Sequence, residues 1–373
     1  MSDVDRDTAD HAASLALDSI GRSEPNPRVG CAIVSPTGET IATGSTQRAG
    51  GPHAEVVALR AAGQQARRST VYVSLEPCSH HGRTPPCCDA LIAAGVARVV
   101  IAIQDPNPLV AGRGIERLRA AGIEVTVLPP DDPAAVASRE LNIGFFSRMI
   151  RKRPWVRMKI AASLDGRTAL DNGASQWITG EAARTDGHAW RKRAGAVLTG
   201  IGTVLDDDPR LDVRLVPTEV QPKRVVVDSR LEIPLDARIL QSPGEALVYT
   251  ALDPVEAGPK AAALAERGAT VVACPGAGGK VDLAAMLDDL AKREVNELHV
   301  EAGHKLNGSL VQAGLVDEFL VYLAPTLLGR GREMALFGPL ASLAEGVALE
   351  FRDVERVGND LRVIARPPGR AAF

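Results

Sequence analysis

Apolar and polar positions along this chain switch repeatedly between helical and strand spacing, and each switch marks a predicted element. Positions 7–22 repeat Ala and Leu at helical spacing up to Gly21, which predicts a helix. Strands follow at 31–34 and 40–44, joined by a turn through Pro36, Thr37, Gly38 and Glu39. A helix over 53–66 begins just after Pro52, a β-branched and aromatic strand spans 70–75, and a helix over 87–94 stands behind Pro85 and Pro86. A strand at 98–103, a further helix, a strand at 123–128 and a helix over 133–147 complete the first half. Residues 149–154 read as a short basic connector ending in Pro154, so the chain divides into domains 1–148 and 155–373. The second half shows a strand from 155 to 163, a helix over 180–193 and a strand at 196–199. Two more strand–helix units lead to a strand and helix start around 298–309. Strands near 317–323, 348–356 and 361–366 close the chain, the last two as an antiparallel pair. Alternation of strand and helix predicts an α/β fold with a mostly parallel sheet and crossover helices.

Composition narrows the partners. A chain of 373 residues is comfortable for two domains, and 45% hydrophobic with 24% charged residues is an ordinary globular balance. The net charge of −3 offers no basic patch, and 3% aromatics leave few stacking platforms. Small molecules rather than nucleic acid are therefore the expected partners. No apolar run reaches membrane-spanning length, and the N-terminus is acidic and polar, unlike a signal peptide. Five cysteines, odd in number and clustered, suit metal binding in a reducing compartment, so a cytoplasmic protein is expected. Assembly into a homo-oligomer is left open.

The sharpest chemistry lies between His53 and Cys88. One imidazole, His53, and two thiols from the set Cys78, Cys87 and Cys88 make a soft N/S donor set of the kind zinc prefers. Three protein ligands leave one position for water, the mark of a catalytic rather than a structural zinc. Glu55 stands two residues past the histidine, where a carboxylate can carry a proton from water to a leaving amine. Zinc nucleobase deaminases carry H-x-E followed by P-C-x-x-C. Here H-x-E and P-C are present, but eight residues separate Cys78 from Cys87, and spacing alone does not choose between Cys87 and Cys88. A structural zinc or a pair of ordinary buried thiols is the bland alternative, and the combination of motifs disfavours it.

Weaker signals surround this centre. Asn26 between two prolines, and Asp105 and Asn107 in the loop after strand 98–103, are common turn formers, although that loop follows a strand's carboxyl end, where α/β sheets bind ligands. Gly200, Gly202 and Thr203 follow a strand directly, as does the turn from Gly303 to Ser309, and both allow backbone N–H groups to approach a phosphate. The run from Asp206 to Asp208 reads alone as a cap and turn, Cys31 as a small core residue, and His188 and His299 as structural histidines.

Taken together, HAE, EPCSHHGRTPPC and PNPRVG in the first half, with MKIAASLDGR, SQWIT, TGIGTVLDDDPRL and VEAG in the second, resemble the bifunctional deaminase–reductase family of riboflavin biosynthesis across nearly the whole chain. The resemblance implies an N-terminal cytidine-deaminase-like α/β/α sandwich and a C-terminal dihydrofolate-reductase-like α/β domain. It implies zinc-dependent hydrolytic deamination of a diaminopyrimidinone carrying a ribosylamino phosphate, then NADPH-dependent reduction of ribosyl to ribityl. His53, Cys78 and Cys87 would hold zinc and Glu55 would be catalytic. Asn26 would meet the pyrimidine, and His80, Arg83, Asp105 and Asn107 the ribose phosphate. NADPH would contact Ala161, Trp177, Thr203, Asp207, Ser229 and the turn Gly303, His304, Lys305, Leu306, Asn307, Gly308 and Ser309. Ser175, Arg191, Leu211, Arg214 and Glu301 would contact the phosphorylated substrate of the reductase, where arginine forks suit a phosphate. The chain departs from the family at Thr46, where many relatives carry histidine, and at Gly303-His304-Lys305, where the usual form is Gly-Pro-Thr.

Overall fold

The computed structural model describes residues 3–80, 82 and 84–373. Contacts divide the chain into two compact units, Met1–Lys152 with Phe373, and Arg153–Ala372.

In the first unit, α1 (Asp3–Leu15) runs on as a short 3-10 turn and leads into β1 (Gly30–Val34) and β2 (Thr40–Ser45). After them come α2 (Ala54–Ala62), β3 (Thr70–Val73), α3 (Cys87–Ala94), β4 (Arg98–Ile101), α4 (Arg113–Ala120), β5 (Glu124–Val127), α5 (Pro133–Leu141) and α6 (Ile143–Arg151). The sheet runs β2-β1-β3-β4-β5, with β1 antiparallel to both neighbours and β3, β4 and β5 parallel. Alternate residues of each strand face opposite sides. Ile33, Val71, Val73, Val99 and Ile101 meet Ala54, Ala58, Leu91 and Leu118, whereas Ala32, Val34, Tyr72 and Val100 meet Ala9, Ala12, Ala13, Ala134 and Ala135. Helices thus cover both faces, as in an α/β/α sandwich. Gly44 lets α2 approach closely, since a Cβ there would lie 2.3 Å from the Ala54 carbonyl oxygen. This contact seats the helix that His53 opens.

Two expectations change here. The helix expected over 133–147 is two helices broken at Asn142, whose side chain accepts from the Arg28 N–H at 2.7 Å and donates to the Arg28 carbonyl at 2.8 Å. An Asn that satisfies a neighbouring loop in this way competes with the helix ladder. Residues 149–151 form the last turn of α6 rather than an open connector, and Lys152 ends it in the left-handed region (φ 60°).

The second unit opens with β6 (Trp155–Ser163), β7 (Arg167–Leu170), α7 (Glu181–Arg193), β8 (Ala196–Gly200), α8 (Ile201–Asp207), β9 (Lys223–Val227), α9 (Arg238–Gln241), β10 (Ala246–Thr250) and α10 (Pro254–Glu266). It continues with β11 (Ala269–Ala273), α11 (Leu283–Lys292), β12 (Glu297–Val300), α12 (His304–Gln312), β13 (Glu318–Ala324), β14 (Gly331–Glu333), β15 (Glu350–Val357) and β16 (Asp360–Arg366). One sheet of order β11-β10-β9-β8-β12-β6-β13-β16-β15 forms, parallel from β11 to β13 and antiparallel over its last two strands. Three strands, β9, β10 and β11, stand where two strand–helix units were expected. The short pair β7 and β14 had no sequence signal. At the centre, the fully buried Arg157 donates to Glu297 at 2.7 Å and to Glu318, while Arg193 and Arg366 close the same carboxylates from outside. Buried charges survive only when paired in this manner.

Candidate active sites

In the first unit, the carboxyl end of β3 and the N-termini of α2 and α3 converge. His53 is the N-cap of α2, Glu55 lies in its first turn, and Cys87 is the first residue of α3. The ligand atoms of His53, Cys78 and Cys87 all lie within 4.8 Å of one another. Nδ1 of His53 is 3.6 Å from Cys78 Sγ and 3.2 Å from Cys87 Sγ. A tetrahedral zinc with ordinary Zn–S and Zn–N bonds separates such atoms by about 3.5 Å, so the donor set fits the ion. The far nitrogen of the ring, Nε2, is 3.3 Å from the Thr84 hydroxyl, which orients the imidazole as an outer partner of a ligand does. Cys88 turns away, towards the carbonyls of Pro77 and Gly114, so the geometry selects Cys87. Among the described residues no fourth side chain joins the cluster.

Electrostatics follow from this crowding. The Cys78 thiol is held down to about 4, first by the Cys87 thiol donating to it, then by His53 and the Cys87 N–H, which outweigh its burial. Cys87, as the donor, is pushed the other way. Glu55 is buried, and that burial raises its carboxyl. Glu76 anchors the facing loop: its two oxygens accept the N–H groups of Asp105, Gly112, Gly114 and Ile115.

The second unit carries a cavity of about 1310 Å³ at the carboxyl ends of β6, β8, β9 and β12. Gly200 and Gly303, the N-caps of α8 and α12, both line it, and neither helix has a side-chain cap. Free N–H groups at two helix starts therefore face one space, a fit for the diphosphate of a dinucleotide. On the cavity wall, Lys159 Nζ lies 3.9 Å from Glu301 Oε2, and burial lowers the ammonium's pKa. Burial pulls the Glu301 carboxyl up, but Arg191 and Lys159 outweigh it and hold it well below the usual range. Arg191 grips Glu301 through Nη2 at 2.8 Å and donates to the Asp212 carbonyl at 2.9 Å, and Arg214 pairs with Asp212 at 2.8 Å.

Residues 4–103 match the cytidine and deoxycytidylate deaminase zinc-binding region, and residues 154–363 match the RibD C-terminal domain. The chain is 45% identical to the riboflavin biosynthesis protein RibD of Escherichia coli (strain K12), over 94% of this chain and 96% of that protein. The chain belongs to the RibD family. Identity to the Aquifex aeolicus (strain VF5) RibD is 41%, covering 97% and 98% of the two chains. Among solved structures, Acinetobacter baumannii RibD superposes with a TM-score of 0.88 at 40% identity, over 98% of this chain and 99% of that one. A Thermotoga maritima protein described as a diaminohydroxyphosphoribosylaminopyrimidine deaminase and 5-amino-6-(5-phosphoribosylamino)uracil reductase gives 0.84 at 30% identity, again over 98% and 99%. RibD proteins thus pair a zinc-binding deaminase domain with a reductase domain, and this chain has both.

The structure places the sequence-predicted residues unevenly. His53, Glu55, Cys78 and Cys87 come together. Asp105 and Asn107 form consecutive turns, Asp105 accepting the Asn107 N–H at 2.7 Å and Asn107 that of Leu109 at 3.1 Å. Burial pushes the Asp105 carboxyl up to about 7. Asn26 bonds Ser23 through its backbone alone, which leaves its amide outside the turn. His80 is half-buried with Nδ1 unpartnered among the described residues, and Arg83 lies outside them. The Thr46 hydroxyl accepts the Val29 N–H at 3.2 Å within the fold, so it is engaged by the backbone rather than offered to a substrate. Of the expected NADPH contacts, Ala161, Trp177, Thr203, Asp207, Ser229, Gly303, His304, Lys305, Leu306, Asn307 and Ser309 line the cavity. Gly308 instead meets the Leu336 backbone, where a Cβ would lie 1.8 Å from the carbonyl oxygen. Ser175 and Glu301 line the cavity, whereas Arg191, which grips Glu301, Leu211, which is buried in a hydrophobic cluster, and Arg214, which pairs with Asp212, are not on its wall. Sequence reasoning missed Thr84 and Lys159. Only the latter left a signal, a second cation two residues after Arg157 inside an otherwise apolar strand.

Proposed function

We propose that the unit Met1–Lys152 deaminates the pyrimidine ring of a diaminohydroxy-phosphoribosylaminopyrimidine and that Arg153–Ala372 reduces the ribosyl chain of the product with NADPH. The observation that carries this reading is the convergence of His53, Cys78 and Cys87 within 4.8 Å beside the buried Glu55. These three would hold zinc, which when bound would supply the Lewis acidity that activates water near neutral pH. Glu55, its carboxyl raised by burial, takes the proton from the attacking water and delivers it to the departing amine. Thr84 keeps the His53 ring turned so that Nδ1 faces the two sulfurs. Asn26 offers its amide to the pyrimidine, and His80, Arg83, Asp105 and Asn107 form the wall for the ribose phosphate.

In the reductase, the cavity residues would hold NADPH, which when bound would supply a hydride for C1′. Converting ribosyl to ribityl opens the sugar ring, so the ring oxygen must gain a proton. Lys159, with its ammonium pKa lowered beside Glu301, is the group suited to give it. The N-termini of α8 and α12 receive the cofactor's diphosphate. Arg191 holds Glu301 in place, and Arg210 and Arg214, flanking Asp212, are the cations for the substrate phosphate. Five unpaired cysteines suit the reducing cytoplasm. The weak net charge of −3 gives no reason to engage nucleic acid, and no described helix is long and apolar enough to cross a membrane.

Glu55→Gln tests the assignment. It should keep zinc at one per chain and lose roughly 10²–10⁴-fold in ammonia release, while NADPH oxidation with pre-deaminated substrate continues. Undiminished ammonia release would refute the role of Glu55.

A further inference from the structure

Two loops beyond the diphosphate cradle carry positive charge that the chemistry described so far leaves unused. A dinucleotide's nicotinamide and adenosine lie on opposite sides of its diphosphate. With that diphosphate at the starts of α8 and α12 and the nicotinamide beside Lys159 and Glu301, the adenosine extends the other way, past β8 to β9. β6, which bears Lys159, and β9 are three places apart in the sheet, roughly 14 Å at the usual strand spacing. The cavity continues there. Val227, Val281 and Leu283 give it an apolar wall for a purine, and Arg230 and Lys280 belong to its lining.

Both cations sit on loops held in place by the fold. Asp228 is fully buried, and its carboxylate accepts the Ile233 N–H at 2.8 Å. Residues 228–233 thereby turn so that Leu231 and Ile233 enter the core while Arg230 and Glu232 stay outside it. In the loop after β11, Pro275 bridges Val281, and the Gly276 N–H donates to the Lys280 carbonyl at 2.7 Å. Ser229 ties the two loops together, its hydroxyl accepting the Val281 N–H at 3.2 Å across the end of β10. Lys280 has no carboxylate partner among the described residues, and Arg230 meets Glu232 at 3.1 Å. Asp282 is committed to capping α11. Two cations thus face one carboxylate, and this end of the cavity keeps a surplus positive charge.

We propose that Arg230 and Lys280 receive the 2′-phosphate of NADPH and so set the preference for it over NADH. The proposal rests on the reductase reading above. The adenosine of NADH brings only neutral ribose hydroxyls to this end. A phosphate on the 2′-oxygen brings negative charge, which a guanidinium fork and an ammonium suit. An arginine near the ribose is how other dinucleotide sites accept that phosphate, whereas a carboxylate favours the free hydroxyl. Glu232 is the opposing group here, and its ion pair with Arg230 blunts that preference.

Calorimetric titration of the zinc-loaded full chain with adenosine 2′,5′-bisphosphate and with AMP is the test. The unaltered protein should bind the bisphosphate roughly tenfold or more tightly than AMP, by a margin that shrinks as salt rises. Arg230→Gln/Lys280→Gln should lose roughly 10–100-fold in affinity for the bisphosphate and keep its affinity for AMP. With pre-deaminated substrate, KM for NADPH should rise by a similar factor in that variant while KM for NADH holds. Equal binding of the two nucleotides by the unaltered protein, a comparison that stands whether or not the variant folds, overturns the proposal. So does a double variant that still prefers the bisphosphate. If neither dinucleotide is oxidised by the unaltered protein, the reductase reading itself falls, and this proposal with it.

Discussion

Cys87 and Cys88 are adjacent in sequence, but consecutive residues of a helix project about 100° apart, so in α3 their sulfurs go to different sides. Cys88→Ser should therefore leave zinc content at one per chain, whereas Cys87→Ser should lose most of it, as metal analysis of the purified variants would reveal. Equal retention in both would remove Cys87 from the ligand set. His188 gives a second test at this scale. Burial, with Arg191 and Arg214 beside it, holds its pKa down to about 4, against about 6.5 in an unfolded chain. The unfolded state thus takes up a proton that the folded state refuses. Stability is full above pH about 6.5 and is lost as pH falls towards 4, by on the order of 3 kcal/mol. His188→Asn can still accept the Arg214 N–H that Nδ1 accepts at 3.2 Å. Its urea midpoint should fall less between neutral and acid pH than that of the parent, and an equal fall would assign the acid sensitivity elsewhere.

At the scale of elements, helix starts do the positioning. His53 and Cys87 sit where α2 and α3 begin, and Gly200 and Gly303 where α8 and α12 begin, so both sites draw on N–H groups left without intrahelical partners. The seat of α12 depends on Gly308, which lets the Leu336 backbone touch the helix while Leu336 donates its own N–H to the His304 carbonyl at 2.9 Å. Gly308→Ala forces that strap away. The unfolding transition of the reductase should weaken by about 1–3 kcal/mol, the usual cost of overpacking a tight contact, and NADPH titration should show looser binding. An unchanged melting temperature would mean that the strap moves freely.

Across the whole molecule, the two units have separate hydrophobic cores, one set around β1, β3 and β4 and the other around β6, β8 and β12. Among the described residues, the one cluster suited to zinc lies in the first unit. A chelator should abolish ammonia release and leave NADPH oxidation with pre-deaminated substrate unchanged, which parallel assays on one sample would check. Joint loss would mean that the reductase depends on the metal-bearing unit.

The sequence by itself determined what depends on nearby residues: strand and helix alternation, the H-x-E on a helix start, the cysteines behind prolines, and glycine turns after strands. Metal ligation and phosphate cradling need particular residue types at short separations, so their traces survive in one dimension. Tertiary structure decided whatever depends on distant partners. It chose Cys87 over Cys88, broke the helix at Asn142 to satisfy Arg28, and tied the Thr46 hydroxyl to Val29. Thr84 was brought to His53, and Lys159 was set beside Glu301 from a strand more than a hundred residues away. Hydrogen bonding and burial act between groups close in space whatever their separation along the chain, so no local pattern could announce these pairs.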